Sequence, residues 1–178
     1  MKKYLSVIPL VLLLCFVVGC QDKAAMAELE EFKAQAEIEE QNEAAFRYMI
    51  EETDKGNYDA WNEVCSLDYV SHWGEISWNL EKHKQANRPL LVAFPDINHE
   101  INSLITQGDR VVARLTLTGT QEGDYMGIPP TGNKIKYTAM LEARFSEGKI
   151  VELWGIGDML TLMQQLGMEL KPKEAAIK

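Results

Sequence analysis

Two segments of alternating character, residues 110–118 and 134–145, flank a fourteen-residue run, 119–132, that holds four glycines and the pair Pro129-Pro130. Proline lacks the ladder donor and glycine weakens helix and strand alike, so the run can be neither a helix nor the middle of a strand. It reads as a long, shaped loop joining two strands of one curved sheet. On the first strand Val111, Ala113, Leu115 and Leu117 share a face, and on the second Ile135, Tyr137, Ala139, Leu141, Ala143 and Phe145 do so. The opposite faces carry Arg114, Thr116 and Thr118, then Thr138, Met140, Glu142 and Arg144. An antiparallel sheet with one wholly apolar face needs helices packed on that face. Glu152, Trp154 and Asp158 then arrive on and just after the next strand, which suggests a pocket holding a titratable group.

The remaining pattern supplies the helices. Phe46, Met49 and Ile50 have helical spacing, and Asp54-Lys55-Gly56-Asn57 closes that helix. Residues 58–65 predict a second helix with Trp61, Val64 and Cys65 inward, and 67–73 a short strand. Residues 80–94 return to helical spacing through Leu80, Leu90, Leu91 and Phe94 and stop at Pro95. Strands are expected at 97–106, 110–118, 134–145 and 149–156, with tight turns at Gly108-Asp109 and Glu147-Gly148, and a last helix at 159–166. Helices followed by a four-stranded meander is the α+β pattern, a bent sheet backed by helices around a cavity.

The first nineteen residues read as an export leader. Lys2 and Lys3 form a basic n-region, residues 5–18 are almost wholly apolar, and Val17-Val18-Gly19-Cys20 resembles a bacterial lipobox. That resemblance implies cleavage before Cys20 and acylation of its thiol, with anchoring to the outer membrane or cell surface; a plain secretory signal is the alternative. Losing Lys2 and Lys3 takes the net charge from -9 to -11, an acidic balance that disfavours nucleic acid and anionic headgroups as partners. Residues 20–43 hold eight acids against two lysines, with no glycine or proline, and read as a charged, helical tether in which Met26, Leu29, Phe32 and Ala36 make a thin apolar stripe. The domain proper is expected at 44–170 and a tail at 171–178. Cys65 has no intrachain partner and sits in an amphipathic stretch without a suitably spaced histidine, which favours a core position over a reactive thiol.

Phe94-Pro95-Asp96-Ile97, Gly108-Asp109-Arg110-Val111, Gly119-Thr120 and Gly127-Ile128-Pro129-Pro130-Thr131-Gly132 follow one another in order. Gly148-Lys149-Ile150, Glu152, Trp154, Asp158 and Gln165-Leu166-Gly167 continue the series. Over residues 44–168 this resembles the SnoaL-like polyketide cyclases, also called ester cyclases. The resemblance implies an α+β cone of the kind shared with nuclear transport factor two and the ketosteroid isomerases, with a central apolar pocket. It further implies an aldol-type cyclisation or isomerisation of a small apolar carbonyl compound, by acid/base chemistry without metal or organic cofactor.

By that resemblance Asp158 is the general acid/base, since a carboxyl in an apolar cavity has its pKa raised and can take a proton α to a carbonyl. An N-cap of the final helix suits the same residue. Where the family carries histidine after Gly-Thr, this chain has Gln121, which offers only a neutral hydrogen bond. Trp154, Glu152, Gln121, His72, Tyr69, Arg144, Met140 and Trp78 are the expected pocket residues, and Tyr125-Met126 an expected cap over its mouth. Arg144 and Glu142 read first as a salt bridge within the sheet, with binding of a substrate carboxylate by Arg144 as the alternative. His83 falls in a charged helix and His99 beside Glu100, neither at a metal-ligand spacing. A non-catalytic lipoprotein that binds a hydrophobic molecule or partner through the same pocket is the alternative function, and a homodimer through the open sheet face is the expected assembly.

Overall fold

A computed structural model describes residues 7–169 and 171, with side chains from residue 23 onward. The chain divides into two compact units, Met1–Ile38 and Glu39–Lys178. The leader and the lipidation of Cys20 rest on residues whose side chains lie outside those described, as does most of the expected tail. Among the described residues no helix is long and apolar enough to cross a membrane.

Helix α1 (Val7–Asp54) spans both the expected tether and the first domain helix, which the sequence suggested were separate elements. No glycine or proline interrupts residues 22–54, so nothing in the backbone breaks the run. Over residues 23–38 its side chains are solvated, the stripe of Met26, Leu29 and Phe32 among them. In the second unit Asn42, Phe46, Met49 and Ile50 are buried at helical spacing. A 3-10 turn, Tyr58–Ala60, and a single helical turn, α2 (Trp61–Val64), follow. The expected second helix therefore ends one residue early, and Cys65 opens strand β1 (Cys65–Trp73).

A strand the sequence did not reveal comes next, β2 (Ile76–Asn79), hairpinned on β1 and leading into α3 (Leu80–Ala93). Asn79 caps α3 by accepting from the Lys82 amide. Strands β3 (Asn98–Gln107), β4 (Arg110–Thr120), β5 (Lys134–Ser146) and β6 (Lys149–Gly157) form the meander, and α4 (Met159–Gln165) closes the fold. The sheet has six strands in the order β2-β1-β6-β5-β4-β3, with β1 parallel to β6 and every other pair antiparallel. Its ladder shifts register in the β1–β6, β3–β4 and β5–β6 pairs, the kind of irregularity that bends a sheet. It is curved and unclosed, with the helices packed against one face.

The apolar parity of β4 and β5 is buried throughout, as the alternation required. These residues, with Phe46, Trp61, Phe94, Leu153 and Leu162, make one core. Cys65 is among them, and burial pushes its thiol up to about 12, so it packs as a small hydrophobe.

Candidate functional site

A cavity of about 730 Å³ lies between α3 and the apolar face of the sheet. Each strand contributes through its inward parity: Trp73 from β1, Leu115 and Leu117 from β4, Tyr137, Ala139 and Leu141 from β5, Gly155 and Gly157 from β6. Trp78 of β2 lines it too, and Tyr125 and Met126 stand in its wall as expected of a cap. Gly155 is required by packing: a Cβ there would sit 2.5 Å from the Trp73 ring. The lining is aromatic and aliphatic with few polar groups, the usual makeup of a small-molecule site.

Two of those polar groups are histidines. His99 of β3 pairs in register with Leu117 and shares its face. Its backbone amide donates to Asp54 Oδ2 (3.0 Å), and its Nδ1 lies 2.5 Å from Asp54 Oδ1. Asp54 is the last residue of α1, where a carboxylate gains nothing from the helix dipole. Its two bonds to His99 give it a role the sequence reading, which took it as a helix stop, did not see. A carboxylate can only accept, so Nδ1 carries a proton, and in the neutral imidazole Nε2 keeps its lone pair.

The second histidine is His83, on the inward side of α3 and 2% exposed. Its Nδ1 lies 2.8 Å from the Tyr69 hydroxyl. The imidazole is boxed by Trp61, Tyr69, Trp73 and Trp78, with ring centroids 5.0 to 5.9 Å away. Burial pulls its pKa down to about 4. Spacing could have found it: Leu80, His83, Asn87 and Leu90 follow the three-and-four rhythm of one helix face, and the charged neighbours hid that.

The residues nominated from sequence separate into three groups. Trp78, half-buried, lines the cavity as expected, and Tyr69, fully buried, stands behind His83 without lining it. His72, Glu152, Trp154, Arg144 and Met140 are displaced to the sheet's other face, because each has the parity opposite to Trp73, Leu153, Ala143 and Ala139. There Arg144 Nε donates to Glu152 (2.7 Å), His72 Nε2 lies 3.6 Å from Glu152, and His72 stacks on Trp154 at 5.2 Å. The Arg144 bond, first among several causes, holds the Glu152 carboxyl below its ordinary pKa. Arg110 pairs with Glu142 across the adjacent strands. Met140 is 47% exposed on this face.

Gln121 is wholly buried but holds the loop, not a ligand. Its Nε2 donates to the carbonyls of Gly123, Ile128 and Pro129 at 3.0 to 3.2 Å, and its Oε1 accepts from the Thr131 hydroxyl (2.7 Å) and amide (3.2 Å). Asp158 caps α4, accepting from the amide (3.0 Å) and hydroxyl (2.7 Å) of Thr161. These bonds lower its pKa, the opposite of what a neutral-pH base needs. Gly157 and Met159 on either side reach the cavity, whereas the exposed Asp158 carboxylate is turned to the helix start. Among the described residues no group of three or more potential metal ligands comes together.

A helix-backed, curved α+β sheet around a pocket of this kind is the cone fold of the nuclear transport factor two type. A family model for the SnoaL-like polyketide cyclases matches residues 43–166, and the chain belongs to that family. It is similar to the crystal structure of AclR, a candidate hydroxylase from Streptomyces galilaeus, with 29% identity and a TM-score of 0.68, over 72% of this chain and 97% of that one. It is similar also to IdmH, a candidate polyketide cyclase from Streptomyces antibioticus, with 27% identity and a TM-score of 0.66, over 72% and 99% of the two chains. A candidate polyketide cyclase from Bacillus cereus ATCC 10987 shares 28% identity with a TM-score of 0.63, over 73% of this chain and 83% of its own. No curated protein sequence matches the chain.

Proposed function

We propose that this protein carries out acid/base chemistry on a small apolar carbonyl compound held in the cavity, as an aldol-type cyclisation or isomerisation, with His99 as the base. The observation that carries the reading is the Asp54-oriented imidazole of His99 in the wall of an otherwise apolar cavity. Nε2 takes a proton from the carbon α to a carbonyl, and the C–H electrons move onto the carbonyl oxygen as an enolate. The Asp54 carboxylate stabilises the imidazolium that forms. In a cyclisation the enolate carbon then attacks a second carbonyl of the same molecule. The alkoxide so formed recovers the proton from the imidazolium, so nothing is consumed. Family membership supports this class of reaction; the assignment to His99 instead of Asp158 rests on where the two side chains point.

The test uses 1-tetralone as a small enolisable ketone and follows exchange of its α-hydrogens in D2O by proton NMR. Exchange is expected to exceed the buffer rate and to fall about 100-fold or more in His99→Gln, the usual scale for loss of a general base. Bound tetralone with exchange at the buffer rate would leave a ligand-binding protein and end the enzyme reading. Undiminished exchange in His99→Gln would move the base elsewhere.

The same reading places the domain at the bacterial envelope, held by acyl chains on Cys20. Its support is the n-region, h-region and Val17-Val18-Gly19-Cys20 sequence. Intact mass of the mature protein should show a diacyl or triacyl cysteine at its N-terminus, and an unmodified terminus would refute it.

A further inference from the structure

We infer that His83 is the second functional group of the cavity: a neutral imidazole, held in one tautomer by Tyr69, whose Nε2–H donates a hydrogen bond to the ligand's carbonyl oxygen. The inference rests on the acid/base reading above and names the group that receives the charge His99 creates. Tyr69 touches no ligand in this scheme and is a positioning residue.

Three observations support it. The first concerns the proton between Tyr69 and His83. Their 2.8 Å contact joins a phenol, the better acid of the two, to an imidazole nitrogen, the better base, which favours O–H donating to Nδ1. Tyr69 is 1% exposed, so water does not compete for that hydroxyl, and burial raises its pKa well above the ordinary value. With Nδ1 accepting, a neutral imidazole must carry its proton on Nε2.

The second is where Nε2 lies. His83 lines the cavity, and its Nε2 has no hydrogen-bond partner among the described residues. Among the described residues the side-chain polar atoms both occluded and unpartnered are His72 Nε2, Trp73 Nε1 and Thr106 Oγ1; His83 Nε2 is not one of them. It is therefore unpaired yet reachable from the cavity, where a ligand oxygen would complete it. The third is the ring's fixity: Trp61, Tyr69, Trp73 and Trp78 enclose it, so the donor is oriented before a ligand arrives. A preset donor aimed at developing charge is worth more than one that must reorganise. Burial keeps the ring uncharged at neutral pH, so it can donate without protonating the enolate outright.

The two histidines then play opposite parts through opposite tautomers. A carboxylate makes His99 an acceptor at Nε2, and a hydroxyl makes His83 a donor at Nε2.

Long-range proton–nitrogen correlation of the 15N-labelled full-length chain reads the tautomers without any ligand. His83 is expected as the Nε2–H form and His99 as the Nδ1–H form. Infrared spectra of 13C-carbonyl 1-tetralone bound to the protein should show the carbonyl stretch at lower frequency in the wild type than in His83→Phe. His83→Gln, whose amide also donates, should recover part of the shift. Tyr69→Phe keeps the packing and should release His83 into a mixture of tautomers. Exchange of the tetralone α-hydrogens should fall about 100-fold in His83→Phe, the scale of a lost oxyanion donor. An Nδ1–H tautomer at His83, or a carbonyl stretch that His83→Phe leaves in place, would overturn the inference. Exchange at the buffer rate in the wild type, with tautomer and stretch as expected, would end the acid/base reading and leave His83 as the donor of a binding site.

Discussion

Replacing Gln121 by leucine tests whether a single amide organises the loop between β4 and β5. The amide offers two N–H donors and two acceptor lone pairs, and its five contacts reach four backbone groups of the loop and the Thr131 hydroxyl. Two protons shared among three carbonyls count as two hydrogen bonds, so the side chain supplies about four in all. At about 1 kcal/mol net for each, their loss costs about 4 kcal/mol. Two effects reduce that figure. Pro129 and Thr131 are exposed, so their freed groups can rehydrate, and leucine recovers some apolar burial in a site that is 0% exposed. About 3 kcal/mol remains, a large share of an ordinary domain's stability and equivalent to a fall in Tm of about 10 °C at this size. Urea unfolding followed by the fluorescence of the four tryptophans gives the energy. Hydrogen exchange at the Gly132 amide, which donates to the Gln121 carbonyl, shows whether the loop opens first. A variant within about 0.5 kcal/mol of wild type would show that the loop holds itself.

Three further outcomes follow from the same geometry. His83 titrates at about 4 in the fold against an ordinary 6.5, so between those values the unfolded chain binds the extra proton. Stability should therefore rise with pH across that window by up to about 3 kcal/mol, and the rise should be absent in His83→Gln; equal slopes in both would refute the burial argument. Gly155→Ala places a Cβ 2.5 Å from the Trp73 ring. It should cost about 1–3 kcal/mol and weaken tetralone binding as the indole moves into the cavity; unchanged affinity would mean that the ring yields elsewhere. Asp158→Ala removes the α4 cap and should lower the thermal midpoint while leaving tetralone exchange intact. A tenfold or greater loss of exchange would return the acid/base role to Asp158.

Period and punctuation located β4, β5, β6 and α3 almost to the residue, because alternation, tight turns and Pro95 are local signals. The β2 strand escaped because four residues, three of them exposed, carry no period of their own. The parallel partnership of β1 with β6 escaped because nothing local encodes which distant strand a segment will join. Parity was legible and its meaning was not: Trp154 and Glu152 share one face of their strand as read, but that face, where His72 meets them, is turned away from the cavity. Which face of a strand like β6 turns inward depends on the neighbour that covers it, and here Leu153 is the buried residue and Trp154 its opposite. His99 and Asp54 are 45 residues apart and each had an ordinary local explanation. Their pairing exists only where the end of α1 meets an edge strand.

The register that sets Trp73 opposite Gly155 joins the first strand of the domain to the last. Hairpins β3–β4–β5–β6 can zip from neighbour to neighbour, but β1 must wait for a partner some eighty residues downstream, at a greater loop-closure cost. The indole that walls the cavity and the glycine that admits it are thus delivered by the slowest step of assembly. A nascent or partly unfolded chain would have its hairpins before it had a binding site, so ligand capture would report completion of the sheet and not merely its beginning.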